Sequence, residues 1–172
     1  MMWRLNHTLA RYLMDKPRLY ILIQAELRPD LLLPCFRRRN PGMHPTQGFC
    51  FLASEASFFL LGGTAKGWQP MVGLDKQGMT HWWLEQFMES SIHPTERVDP
   101  TDGQYLDQGQ IPPYHTGRPG WFLNQRLNKQ HPMGLGIAPS SMAQALLERM
   151  FQTQGWCLCP QHVHQLRVLL KI

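Results

Sequence analysis

Hydrophobic residues recur at helical spacing near the start of the chain: Leu5, Leu9, Tyr12 and Leu13 before Pro17, then Leu19, Leu22, Ile23 and Leu27 before Pro29. Residues 1–33 therefore read as two short helices, suited to a cap or a partner-binding surface. From Pro34 to Gln47 the period is lost among three prolines, a glycine and the run Arg37, Arg38, Arg39. That composition predicts a loop and marks the boundary between an N-terminal helical extension, 1–33, and the main body, 34–172. From Phe49 to Leu61 the chain is apolar on nearly every side, broken only by Ser54, Glu55 and Ser57. A helix written this way is buried rather than amphipathic, and Gly62 and Gly63 are suited to end it.

Beyond the glycines the period changes from helical to alternating. Gln69 to Leu74 and Gly78 to Gln86 read as two strands joined by a tight turn through Asp75, Lys76 and Gln77. In the second strand, alternation puts Met79, His81, Trp83 and Glu85 on one face and Thr80, Trp82 and Leu84 on the other. Glu96 to Asp99 reads as a third short strand stopped by Pro100, and neighbouring antiparallel strands can bring His81 and Asp99 into contact. Gly109 to Gly120, rich in glycine and proline, is a long surface loop of the kind that often carries function. Ser141 with Gln144 three residues on resembles a capping box opening a helix through about Phe151, and Val163 to Ile172 reads as an apolar closing strand.

At 172 residues, with 43% hydrophobic and 17% charged residues, the chain is long enough and apolar enough to fold as a single compact domain without staples. The net charge of +5 and a pI near 9.3 suit an acidic partner, yet Arg37, Arg38 and Arg39 form the only tight basic run. A solvated basic loop is the simpler reading, so nucleic acid is not an expected partner. No apolar stretch reaches the roughly 18 to 20 residues that span a bilayer, and Arg4, Asn6, His7 and Arg11 interrupt any signal-peptide core. These features predict a cytoplasmic protein whose cysteines, Cys35, Cys50, Cys157 and Cys159, remain thiols.

One thiol stands out. Cys50 falls on the first turn of the buried helix, where unpaired N–H groups and the positive dipole end favour a thiolate. An imidazole facing it can hold the ion pair and later protonate a leaving group, and a carboxylate on the next strand can fix the ring. His81 and Asp99 fit those tasks. The Cys50 N–H, with an amide from Gln47 or Gln104, is a candidate donor set for an oxyanion. Trp83, on the His81 face, is a candidate wall for the substrate. Each residue also has an ordinary explanation: a core thiol, a hydrogen-bonded core histidine, and an aspartate at a strand-ending turn.

HWWLE followed by VDPT, after a Cys at a helix start, resembles the His and Asp motifs of the transglutaminase-like, papain-like superfamily of cysteine enzymes. The fuller set GFCFLASEASFFLLGG, HWWLE, DPTDGQY, PPYHTGRPGWFL and PSSMAQALLERM is similar to a small uncharacterised family of bacteria and phages related to YunG-like proteins, over about Leu31 to Met150. The resemblance implies an α+β fold: a papain-like core with the Cys-bearing helix packed on an antiparallel sheet, plus the N-terminal helices. It implies Cys50 as nucleophile, His81 as base and acid, and Asp99 as orienter. The superfamily often has a polar residue just before the Cys, where this chain has Phe49, and an oxyanion glutamine several residues ahead, where Gln47 is only three residues away.

The expected function is a cysteine-dependent hydrolase or acyl transferase acting on an amide, ester or isopeptide bond in a protein or small substrate, with no cofactor. The competing expectation is a non-catalytic phage or bacterial protein that keeps the scaffold and binds a host or virion protein; if phage-encoded, its setting is the host cytoplasm. Cys157, Cys159, His162 and His164 are residue types that bind zinc. Their one-residue gaps are unlike the usual ligand spacings, so they read as a plain turn with two buried thiols rather than a metal site.

Overall fold

The computed structural model describes residues 15–32, 37, 43–88, 91–122 and 139–153. The expected helix before Pro17, the apolar segment 163–172 and the cluster Cys157, Cys159, His162 and His164 lie outside them. The fold is α+β, with four α-helices among the described residues: α1 (Lys16–Glu26), α2 (Cys50–Leu60), α3 (Gly103–Leu106) and α4 (Ser141–Thr153). Strands β1 (Trp68–Leu74), β2 (Thr80–Gln86), β3 (Glu96–Val98) and β4 (Arg118–Pro119) form one antiparallel sheet in the order β3-β2-β1-β4.

Helix α2 is central, and ten of its eleven residues are buried, as its nearly unbroken apolar sequence predicts. It packs on β2 and β1 and also against α1 and α4. Its three polar residues are all satisfied. The Ser54 hydroxyl donates to the Trp82 carbonyl at 2.9 Å, and that of Ser57 to the Ala53 carbonyl at 2.8 Å. Glu55 accepts from the Ser140 N–H at 2.9 Å and from the Ser140 hydroxyl at 2.6 Å. Leu52, Phe58, Phe59 and Leu60 join Leu19, Ile23, Trp82, Leu84, Phe122 and Leu146 in one buried cluster. Each large side chain removed from water in this way contributes about 1.5–3 kcal/mol.

The hairpin β1–β2 pairs Leu74 with Thr80, and its turn is held by Asp75, whose side chain accepts from the N–H groups of Gln77 and Met79. Trp82 and Leu84 belong to the cluster around α2, whereas Trp83 lies outside it and packs with His81 and Tyr114. The alternation along β2 thus separates a helix-facing side from the side that carries His81.

Three expectations need correction. The segment Gly109 to Gly120 is not irregular throughout: a 3-10 turn at Tyr114–Thr116 leads into β4, which pairs with Met71 and Val72. Two glycines permit this closure, because a Cβ on Gly117 would lie 2.5 Å from the Trp83 ring and one on Gly120 would lie 2.6 Å from the Trp82 ring. The cap of α4 is Ser140, not Ser141, since the Ser140 hydroxyl accepts from the Ala143 N–H at 3.3 Å. The third strand stops at Val98, leaving Asp99 in the turn that follows.

Candidate active site

Cys50, His81 and Asp99 come from three different elements. The β2–β3 ladder pairs Leu84 with Val98 and Glu85 with Arg97, so Asp99 extends past the ladder on the side of Trp83. His81 is the diagonal neighbour two residues along, a separation that two inward-reaching side chains can close. They do so: His81 Nε2 donates to Asp99 Oδ2 at 2.6 Å, with the two residues 0% and 1% exposed.

The Asp99 carboxylate is saturated. Oδ2 also accepts from the Tyr114 hydroxyl at 3.0 Å, and Oδ1 accepts from the Thr101 N–H at 3.0 Å and the Thr101 hydroxyl at 2.9 Å. The Asp-Pro-Thr triplet therefore has a local logic: the proline ends the strand, and the threonine folds back to hold the carboxylate. The Asp99 N–H donates to the Tyr20 hydroxyl at 2.7 Å, and Gln24 donates to the Pro100 carbonyl at 2.7 Å, so α1 braces the same turn. Tyr20, Thr101 and Tyr114 were not singled out by sequence reasoning. Thr101 was discoverable from its place two residues after an aspartate. The two tyrosines reach Asp99 from distant segments, with no local signal.

Cys50 is the first residue of α2 and is 9% exposed. Its thiol donates to the carbonyl of Thr80, the residue before His81, at 3.7 Å. Burial alone would pull the imidazole pKa down; the hydrogen bond to Asp99 and the Asp99 charge, with the nearby Cys50 sulfur, outweigh it and raise His81 from 6.5 to about 9. The ring is thus favoured in its cationic form near neutral pH.

The surroundings of the pair are aromatic and polar. Trp83 stacks on His81 with centroids 6.0 Å apart, and Tyr105 meets it edge-on at 4.9 Å. Trp83 is wholly buried and its indole N–H donates to Glu85 at 3.1 Å, so it backs the imidazole instead of fronting an open surface. Gln104 is brought to the site: its amide nitrogen lies 3.4 Å from His81 Nδ1 and donates to the Thr101 carbonyl at 2.9 Å. Gln47 is exposed in the turn before α2, its N–H donating to the His44 carbonyl at 3.0 Å. Phe49 is wholly buried, so the position ahead of the thiol serves packing.

His44 ties that turn to the segment after Asp99. Its Nδ1 lies 2.8 Å from the Thr46 hydroxyl and its Nε2 lies 3.0 Å from Asp107. Among the described residues no group of three or more His, Cys, Asp or Glu could hold a metal ion, and no helix is long and apolar enough to cross a membrane.

Comparisons of the chain with protein-family models, with curated proteins and with solved structures found no match. What this site can do must therefore be read from its own geometry. The site sets a thiol at a helix N-terminus near an imidazole that a buried carboxylate holds.

Proposed function

We propose that the protein is a cysteine-dependent hydrolase or acyl transferase of papain-like, transglutaminase-like design, acting on an amide, ester or isopeptide bond. One observation carries this reading: Asp99 holds the His81 imidazole at 2.6 Å, while Cys50 opens the helix beside it with its thiol on the carbonyl of Thr80, the residue before His81, at 3.7 Å. In the proposed reaction the Cys50 thiolate attacks the substrate carbonyl carbon, forming an S–C bond and a tetrahedral oxyanion. The Cys50 N–H and the Gln104 amide are the proposed oxyanion donors. As the intermediate collapses, the C–N or C–O bond breaks and His81 gives its proton to the departing amine or alkoxide. Water or an amine then attacks the thioester, His81 takes up the proton released, and the thiol leaves as thiolate. Cys50→Ala should abolish labelling by a thiol-reactive acyl probe, and undiminished labelling of that variant would sink the reading.

The burial of Cys50 and His81 favours a second reading, a retained scaffold that binds a partner protein and performs no acyl chemistry. The rate of Cys50 alkylation against pH separates the two: a thiolate held by an imidazolium reacts well below pH 7, whereas a core thiol hardly reacts.

A further inference from the structure

We infer that Tyr114 is a positioning residue for His81, acting through Asp99; the inference rests on the reading of Cys50, His81 and Asp99 as one reacting set. The Tyr114 hydroxyl and His81 Nε2 donate to the same carboxylate oxygen, at 3.0 and 2.6 Å. A donor on that oxygen does two things. It fixes the direction from which the second lone pair meets the imidazole, and it draws off charge that would otherwise hold the imidazole proton. The hydroxyls on Asp99, from Tyr114 on one oxygen and Thr101 on the other, thus set how strongly the carboxylate grips the ring.

The surroundings of Tyr114 suit a fixed donor better than a chance contact. Its ring meets Trp83 edge-on at 5.2 Å, and Trp83 in turn stacks on His81, so tyrosine and imidazole share one aromatic backing. The Arg97 guanidinium lies 3.9 Å from the Tyr114 ring centroid and is anchored by Glu85 at 2.7 Å. Burial, and then the neighbouring Asp99 charge, raise the Tyr114 phenol well above its ordinary range, so it remains a neutral donor wherever the site works. The close approach of Gly117 to Trp83 lets the loop carry the tyrosine inward.

The titratable groups facing His81 are Asp99, Cys50 on α2, Tyr105 on α3, and Asp102 at the start of α3. Tyr20 of α1 meets Asp99 differently. Its hydroxyl accepts the Asp99 N–H and does not touch the carboxylate. That difference supplies an internal control.

The test is the titration of His81 in the full-length protein, followed by long-range proton–nitrogen NMR of its ring, with the resonance assigned by its loss in His81→Gln. Tyr114→Phe should raise the midpoint by roughly half a pH unit or more, because the bare Oδ2 holds the imidazole proton harder. Thr101→Val removes the donor hydroxyl on the other oxygen and should also raise it, which gives a second reading should Tyr114→Phe not fold. Tyr20→Phe should leave the midpoint in place while lowering stability. A midpoint that is unmoved or lowered in Tyr114→Phe or in Thr101→Val, or raised equally in Tyr20→Phe, overturns the inference. The titration needs no turnover, so failure of Cys50 to accept an acyl group would leave this result standing on its own.

Discussion

Asp99 shows how one side chain can be made indispensable by its neighbours. Both its oxygens are occupied by donors from His81, Tyr114 and Thr101 at 1% exposure, so nothing near it can rearrange to meet a new group. Asp99→Asn preserves the shape but presents an amide NH₂ to at least one set of donors. The variant should lose about 1–3 kcal/mol of stability, the usual penalty for leaving buried donors unpaired. It also removes the charge that opposes burial at His81, so the imidazole should fall below its ordinary pKa. Under the proposed mechanism, alkylation of Cys50 near pH 6 to 7 should then slow by at least about tenfold. An Asp99→Asn protein that alkylates as fast as the parent would show that the carboxylate has no hold on the thiol. The meeting of His81 and Asp99 was legible because His81 sits on a strand with a readable period and Asp99 directly follows the strand beside it. The donors on Asp99 were only partly so: Thr101 lies two residues away, but Tyr114 arrives through a loop whose glycines and prolines carry no period.

Elements with a strong pattern read well from the chain. The buried helix, the two long strands and the turn between them follow directly from apolar runs, alternation and glycines. The short elements do not. β4 is two residues long and contains Pro119, so only its pairing with β1 reveals it, while α3 is a single turn with no room for a period. The start of α4 differs by one residue from the sequence pattern for a related reason. Its cap depends on Glu55, a residue 85 positions away in the chain, which takes the Ser140 N–H that a local capping glutamate would otherwise engage and accepts from the Ser140 hydroxyl as well. Burial pushes the Glu55 carboxyl up, and the two Ser140 bonds pull it back. Ser140→Ala removes the cap on α4 and one of the two partners of a wholly buried acid. A loss of about 2 kcal/mol is expected, seen as a lower urea midpoint at unchanged slope. An unchanged midpoint would mean that Glu55 is not a fastening between α2 and α4.

For the molecule as a whole, the site and the core are one structure, so the charge state of the site is felt in global stability. α1 reaches the Asp99 turn through Tyr20 and Gln24 and reaches α4 through Glu26, which accepts from the Thr153 hydroxyl at 2.6 Å. Leu19, Leu22 and Ile23 share the buried cluster with α2, so the helix before the proposed boundary contributes directly to packing of the site. Unfolding must then release His81 from Asp99. The folded protein holds the His81 proton to about pH 9 and the unfolded chain only to about 6.5. A raised folded pKa stabilises fully below the unfolded value and is lost as pH climbs through the folded one. Stability should therefore decline between about pH 6.5 and 9, by on the order of 3 kcal/mol if His81 acts alone. The net charge of +5 works the other way, since approaching a pI near 9.3 relieves repulsion, but exposed charges are screened and this effect is the smaller. Urea midpoints of the parent and of His81→Gln across this range decide the matter. The parent should descend toward the variant as pH rises, and parallel curves would mean that the buried imidazole is not held as a cation.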